Sequence, residues 1–306
     1  MSKLKKNLKR NIIKNITISQ TTRNFVVFLK RFVKNRTALL GIIIISSFIF
    51  CAIFASIIAP FDPLKIGVAA PFMPPNWKHL MGTSDMGKDV FSGFIFGARV
   101  SLIIGFLAAF TSTTIGIIIG ATSGYYGGNV DFFLMKITEL FQIVPQFFLA
   151  IVIVALFGSG IGKIIFVIGI LSWPITARLV RSEFLSLRER EFVDALRLIT
   201  AGDIRIVFGE ILPNVTAPII VNTSLQVARA IIIEAGLSFL GLGDLSLVSW
   251  GTMLNEAQDV LRRAWWMAVF PGLGILLLTM GLNLLGDGLN DALNPKLKEK
   301  IQRRAV

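Results

Sequence analysis

The sequence has very few of the side chains from which metal centres and hydrolytic sites are built. Its 306 residues include one cysteine, Cys51, and one histidine, His79. A single cysteine excludes a disulfide bond within the chain and argues against a cysteine metal site. A single histidine leaves no cluster for a metal ion or for a Ser/His/Asp triad. The composition therefore disfavours hydrolytic and metal-dependent chemistry.

Charged residues are also scarce. They make up 16% of the chain, against 54% hydrophobic residues, and the mean hydropathy is +0.73. A chain this apolar is not a soluble domain, so the composition predicts an integral, all-α membrane protein. The formal net charge is +13. The basic residues are concentrated beside apolar segments, where membrane topology and anionic lipid explain them better than nucleic acid does.

Six apolar segments are long enough to cross a bilayer, which takes about 17–25 residues. They are preceded by a strongly basic stretch with no acidic residue up to position 36. An apolar run within it, at 25–29, predicts an amphipathic helix on the inner membrane face. The predicted spans are residues 38–59, 100–123, 132–157, 164–180, 214–239 and 265–285.

The distribution of basic residues predicts which span ends face the cytoplasm. With both termini inside, the cytoplasmic segments 1–36, 178–205 and 296–304 carry eleven, six and five Lys or Arg. The outer segments 61–97, 158–163 and 241–264 carry three, one and two. This is a positive-inside pattern. It divides the chain into cytoplasmic tails at 1–37 and 296–306 and a membrane domain at 38–295, with outer loops at 60–97 and 241–264 and a cytoplasmic loop at 183–213.

Glycines recur every four residues at the end of the second predicted span, at Gly116, Gly120, Gly124 and Gly128. Four-residue spacing places small residues on one helix face, where another helix can approach closely. The stretch Gly124-Tyr125-Tyr126-Gly127-Gly128 also predicts a tight turn at the inner surface.

The cytoplasmic loop contains an amphipathic stretch between two apolar spans. Apolar residues recur there at helical spacing on one side (Phe192, Val193, Leu196 and Ile199), and Arg190, Asp194 and Arg197 fall on the other. Gly202 can end this helix, Asp203 can cap a second helix and Pro213 can stop it. The loop is therefore predicted to be a helix–turn–helix.

This loop resembles the EAA loop of ABC importer permeases. The match is Asp194-Ala195 followed by Ile211-Leu212-Pro213, while Leu196 and Thr200 depart from the usual Ala and Gly. The resemblance implies that the first helix couples the membrane domain to a cytosolic ATPase. The residues that it assigns to this coupling are Glu191, Phe192, Asp194, Ala195, Leu196, Arg197, Thr200, Gly202 and Asp203.

Further segments resemble the second, shorter permease subunit of dipeptide, oligopeptide and nickel ABC importers. They include HLMGTSDMGKDVFSGFIFGARVSL from His79, EAGLSFLGLG from Glu234, SWGTML from Ser249 and NLLGD from Asn283. The resemblance implies a type I importer permease fold and a heterodimer with a second permease. It also implies two cytosolic ATPases that bind ATP and magnesium, an external solute-binding protein, and no cofactor in this chain. Peptides are the expected cargo, and nickel chelates and oligosaccharides remain open.

The pathway for the cargo is predicted from polar residues inside the third span. Glu139, Gln142 and Gln146 are spaced to share one helix face, and Pro145 can bend the span beside them. Polar groups in a span are tolerated chiefly where they face water or another polar group. We therefore predict that these three residues line the pathway. The alternative is that Glu139 pairs with a polar group of a neighbouring span.

The sequence also argues against two other functions. GSGIGK at 158–163 lacks the first glycine and the final Ser or Thr of a phosphate-binding loop, which argues against nucleotide binding. An ion-coupled secondary transporter is the chief alternative, but no internal repeat relates the two halves of the chain.

Overall fold

A computed structural model describes residues 32–198, 202–244 and 246–293. The predicted interfacial helix and most of the two basic tails lie outside these ranges. Within them the chain is helical, and strand pairing is limited to one isolated bridge between Thr83 and Asp89. The helices are α1 Arg36–Ile53, α2 Ala55–Ile58, α3 Val90–Tyr126, α4 Gly128–Ile143, α5 Gln146–Phe157, α6 Ile161–Arg188, α7 Glu191–Leu198, α8 Leu212–Phe239, α9 Trp250–Ala257 and α10 Trp266–Leu293. A π-helical turn, Arg205–Ile211, precedes α8, and a 3-10 turn, Gln258–Val260, follows α9.

Five of the described helical segments are long and apolar enough to cross a membrane: α1, α3, α6, the π turn with α8, and α10. The third predicted span corresponds to α4 and α5, which meet the same criterion together but are bent by 79° at their junction. The bend lies at Val144 and Pro145, because proline cannot donate the backbone hydrogen bond that would continue α4. The all-α membrane fold is thus confirmed, with six spans if the bent pair crosses as one.

Two of the differences from the predicted boundaries have a clear local cause. Helix α3 begins at Val90, within the predicted outer loop, because the Asp89 side chain accepts a hydrogen bond from the backbone N–H of Ser92 and caps the helix. Pro213 does not stop a helix. It lies at the second residue of α8, and the π turn leads into α8 without a break, so the missing N–H of Pro213 coincides with the change from π-helical to α-helical structure.

Helices α3 and α6 are in unusually close contact through the predicted glycine stripe. A Cβ atom added at Gly116 would lie 2.5 Å from the Cβ of Thr176, one at Gly120 would lie 2.4 Å from the carbonyl oxygen of Ala177, and one at Gly124 would lie 2.5 Å from the Cβ of Phe184. Real Cβ contacts are essentially never this short, so these glycines set the distance between the helices. Gly128 is not part of the stripe, because the chain turns at Gly127 and Gly128 with positive φ angles before α4.

The predicted outer end is built around the fully buried Trp250 at the start of α9. Its ring packs against Phe48 of α1 and Phe94 of α3, with centroids 5.4 and 5.6 Å away, and its indole N–H donates to the carbonyl of Phe94 at 3.0 Å. The loop between α2 and α3 is tied to the bundle by a buried contact of 2.8 Å between His79 Nδ1 and Asp89 Oδ1. This end is therefore a packed cap on the helices.

Replacing Gly120 by alanine should force α3 and α6 apart, because the added methyl group meets backbone in α6. Overpacking of this kind costs about 1–3 kcal/mol. The matched control is Gly272→Ala in α10, where nothing lies within 4 Å of an added Cβ. Both changes raise helix propensity equally, so the difference between their unfolding midpoints reports the effect of the added methyl group on helix packing. Thermal unfolding of the purified variants should show a lower midpoint for Gly120→Ala alone; equal midpoints would contradict the close contact.

The predicted sidedness can be tested with cysteines placed at exposed positions in a Cys51→Ser background. Trp77 in the loop between α2 and α3 is 99% exposed, and Glu191 at the start of α7 is also exposed. An impermeant thiol reagent added to intact cells should label Trp77→Cys. It should label Glu191→Cys only after the membrane is permeabilised. The reverse pattern would place α7 outside the cell.

Candidate functional site

Helix α7 is anchored to the bundle by a small apolar cluster. Val193 is completely buried and packs in a cluster with Phe184 of α6, Tyr125 of α3 and Ile206 of the π turn. Leu196 is half-buried against the same cluster. Four chain segments therefore share one core, and α7 is held as part of the bundle.

Polar contacts also join the segments that meet at this cluster, here called the α7 junction. The hydroxyl of Tyr125 donates to Asp203 Oδ1 at 2.7 Å, which joins the end of α3 to the chain just before the π turn. The guanidinium of Arg197 lies 5.8 Å from the centroid of the Tyr125 ring and 3.5 Å from Asp194 Oδ1. Asp203 was predicted as a helix cap, and this was wrong: Asp203 is already part of the helical stretch that leads into the π turn, and its carboxylate accepts the hydrogen bond from the tyrosine hydroxyl.

Beside this junction, α6 is tied to the turn between α3 and α4. Arg181 Nη2 donates to Asp131 Oδ2 at 2.6 Å, and Arg188 Nη1 donates to the carbonyl of Gly124 at 3.2 Å. The Ser123 hydroxyl donates to the other oxygen of Asp131. A guanidinium that contacts both oxygens of a carboxylate adds geometric specificity to the attraction. The end of α6 is therefore held in one orientation as it enters α7.

The opposite face of α7 is exposed and partly apolar. Glu191, Asp194 and Ala195 are exposed, Phe192 is 39% exposed and Leu198 is 85% exposed. Phe192, which helical spacing groups with Val193 and Leu196, is not covered by the cluster, because those two side chains suffice beneath so short a helix. Thr200 lies outside the described residues. Gly202 follows that gap, and its carbonyl accepts the N–H groups of Arg205 and Ile206.

The three predicted pathway residues do not form one stripe. Glu139 and Gln142 are exposed on α4, but Gln146 lies beyond the 79° bend at the start of α5. The spacing argument failed because it assumed one straight helix. Glu139 contacts Lys136 Nζ of its own helix at 2.8 Å, and Arg178 of α6 also acts on it electrostatically.

Gln146 instead belongs to a row of polar contacts between α5, α6 and α8, here called the polar seam. Gln146 Nε2 donates to the hydroxyl of Ser172 at 2.5 Å, and Gln226 Nε2 donates to the carbonyl of Ser172 at 3.1 Å. Asn222 Nδ2 donates to the hydroxyl of Thr176 at 2.9 Å. Sequence reasoning missed Asn222 and Gln226, although two amides four residues apart within an apolar span are a detectable signal.

Comparison with protein families decides the identity of this bundle. The model for binding-protein-dependent transport system inner membrane components matches residues 112–299. The chain belongs to this family. A second model, for the N-terminal transmembrane domain of oligopeptide transport permease C, matches residues 25–75. The resemblance inferred from the motifs is thereby confirmed, and the chain is an inner-membrane transport component.

Individual relatives cover most of the chain. The dipeptide transport system permease protein DppC of Alkalihalophilus pseudofirmus is 40% identical over 270 residues, which are 88% of this chain and 89% of that protein. The protein of the same name from Escherichia coli is 39% identical over 300 residues, which are 92% of this chain and 100% of that protein. A di/tripeptide transport system permease protein from Pseudomonas aeruginosa is 39% identical and covers 89% of this chain.

Replacing Tyr125 by phenylalanine should loosen α7, because it removes the hydrogen bond to Asp203 and leaves the ring in place. A hydrogen bond contributes about 0.5–1.5 kcal/mol, so amide exchange in Glu191–Leu198 should rise about two- to tenfold. Tyr126→Phe is the matched control, since its side chain is 56% exposed. Hydrogen-exchange mass spectrometry would measure both. Unchanged exchange in Tyr125→Phe would show that the apolar cluster alone holds α7.

Proposed function

We propose that this chain is one of two permease subunits of an ATP-driven peptide importer. The observation that carries the proposal is the similarity to three transport proteins named for dipeptides or di/tripeptides, each at 39–40% identity over most of the chain. In this proposal the chain forms half of the translocation pathway and a homologous permease forms the other half. An external solute-binding protein delivers the peptide.

Two cytosolic ATPases would supply the energy and would bind the ATP and magnesium, so the proposal assigns no cofactor to this chain. The exposed face of α7 is the proposed docking surface for one of them. Phe192 and Leu198 present apolar area that a partner can remove from water, and Glu191 and Asp194 provide charge beside it. Ala195 lies between them and is small enough to allow close approach.

The packing described above supports a coupling role for α7. A displacement of α7 acts on Val193, and the cluster around Val193 joins α3, α6 and the π turn. The glycine stripe holds α3 and α6 in close contact. Packed interfaces of this kind move as units and do not deform gradually. A push from the ATPase would therefore shift α3 and α6 together.

Ala195→Arg tests the proposal, because a long charged side chain would separate α7 from the ATPase while leaving the buried face of α7 intact. The complete complex, in liposomes, should hydrolyse ATP faster when the binding protein carries a dipeptide. We expect Ala195→Arg to abolish this stimulation and Ala195→Ser to retain it.

Normal stimulation in Ala195→Arg would contradict the docking surface. Stimulation of the unaltered complex by a nickel chelate or an oligosaccharide, and not by dipeptides, would contradict the peptide assignment. Recovery of each variant with its partner subunits provides the control for assembly.

A further inference from the structure

Arg229 of α8 differs from the other polar residues of its span. It is exposed, and within the described part of the chain no hydrogen bond or ion pair engages its side chain. It precedes the end of α8 at Phe239 by ten residues, which is about 15 Å along a helix. A bilayer core is about 30 Å thick, so Arg229 lies near its middle. A charge at this depth generally faces water or an opposite charge.

The nearest acid along the helix is not the partner of Arg229. Glu234 follows five residues later, about 140° around the helix axis. It is 1% exposed, and its two carboxylate oxygens accept hydrogen bonds from Ser238 at 2.8 Å and Ser101 at 3.3 Å. Glu234 thus joins α8 to α3 on one side of the helix, and Arg229 is on the other.

Arg229 instead extends the polar seam. Asn222 and Gln226 precede it by seven and three residues, so the three side chains lie on one side of α8. Both amides are already engaged with α6, at Thr176 and Ser172. Together they make a polar strip about 10 Å long that ends in a guanidinium. Gln226 is buried in the contact with α6 and Asn222 is partly buried, so Arg229 is the exposed end of this strip. A charge exposed at this depth has no use against lipid, but it suits the wall of a water-filled pathway.

We propose that Arg229 binds the terminal carboxylate of the peptide as it passes the polar seam. This inference rests on the proposed function. A guanidinium matches a carboxylate with two parallel hydrogen bonds. Every free peptide carries this group whatever its side chains are, so one arginine could serve cargo of varied sequence. Contact with the chain terminus would therefore orient the peptide without selecting its side chains.

The test is uptake of a labelled dipeptide by the complete complex in liposomes, with the loaded binding protein at saturation. Loss of a charge-assisted pair predicts that Arg229→Gln lowers the initial rate about tenfold or more. Arg229→Lys keeps the charge and should recover a large part of the rate. Arg99→Gln is the matched control, because Arg99 is an exposed arginine of α3 that lies off the polar seam. Its rate should remain within about twofold of that of the unaltered complex.

Other outcomes would overturn the inference. Equal uptake by Arg229→Gln and the unaltered complex would exclude a role in binding. A reduced yield of the second permease with Arg229→Gln would show that Arg229 pairs with an acid of that subunit. Unchanged basal ATP hydrolysis, by contrast, is expected if the arginine contacts only the cargo. An unaltered complex that takes up no dipeptide would contradict the proposed function and this inference with it, whereas uptake that is insensitive to Arg229→Gln contradicts the inference alone.

Discussion

The close contact between α3 and α6 is the constraint on which the rest of the described structure depends. Gly116, Gly120 and Gly124 leave no room for even a methyl group between the two helices. In a membrane, helices gain little from the hydrophobic effect on association, so van der Waals contact at short range must stabilise them. A stripe of glycines maximises that contact. Helix α8 packs against both α3 and α6, so their relative position also affects where α8 lies.

The geometry of α7 follows from this contact. Because α6 is followed almost at once by α7, the end of α6 sets where α7 begins, and the ion pair of Arg181 with Asp131 ties that end of α6 to α4. Tyr125, at the end of α3, donates a hydrogen bond to Asp203, which follows α7 in the chain. The apolar cluster around Val193 fills the space between. The face of α7 that this arrangement leaves free is the one assigned to the ATPase in the proposed function.

Most charged and polar side chains within the helices have partners that offset the free-energy cost of removing them from water. Glu234 is buried and receives serine hydroxyls, and Glu139 is exposed beside a lysine of its own helix. Gln146 and Gln226 share one serine of α6. Each of these groups has a partner nearby, which a polar group inside an apolar bundle requires wherever it is removed from water. Arg229 differs from these groups because no hydrogen bond or ion pair engages it within the described chain.

The sequence by itself determined the features that depend only on residues close together in the chain. Apolar length predicted the spans, four-residue spacing predicted the glycine contact, and Pro145 predicted a bend, because each is a property of a single helix. The motifs also identified the family. These inferences needed no knowledge of which helices are adjacent.

Only the tertiary structure decided which side chains meet. It placed Gln146 beyond a bend and next to Ser172, exposed Phe192, and joined Asp203 to Tyr125. It also showed that Pro213 opens α8, since a proline in the first turn of a helix and a proline after its end look alike in a local pattern. Helical periodicity gives the face on which a residue lies but not what that face packs against, because the partner is contributed by a distant part of the chain.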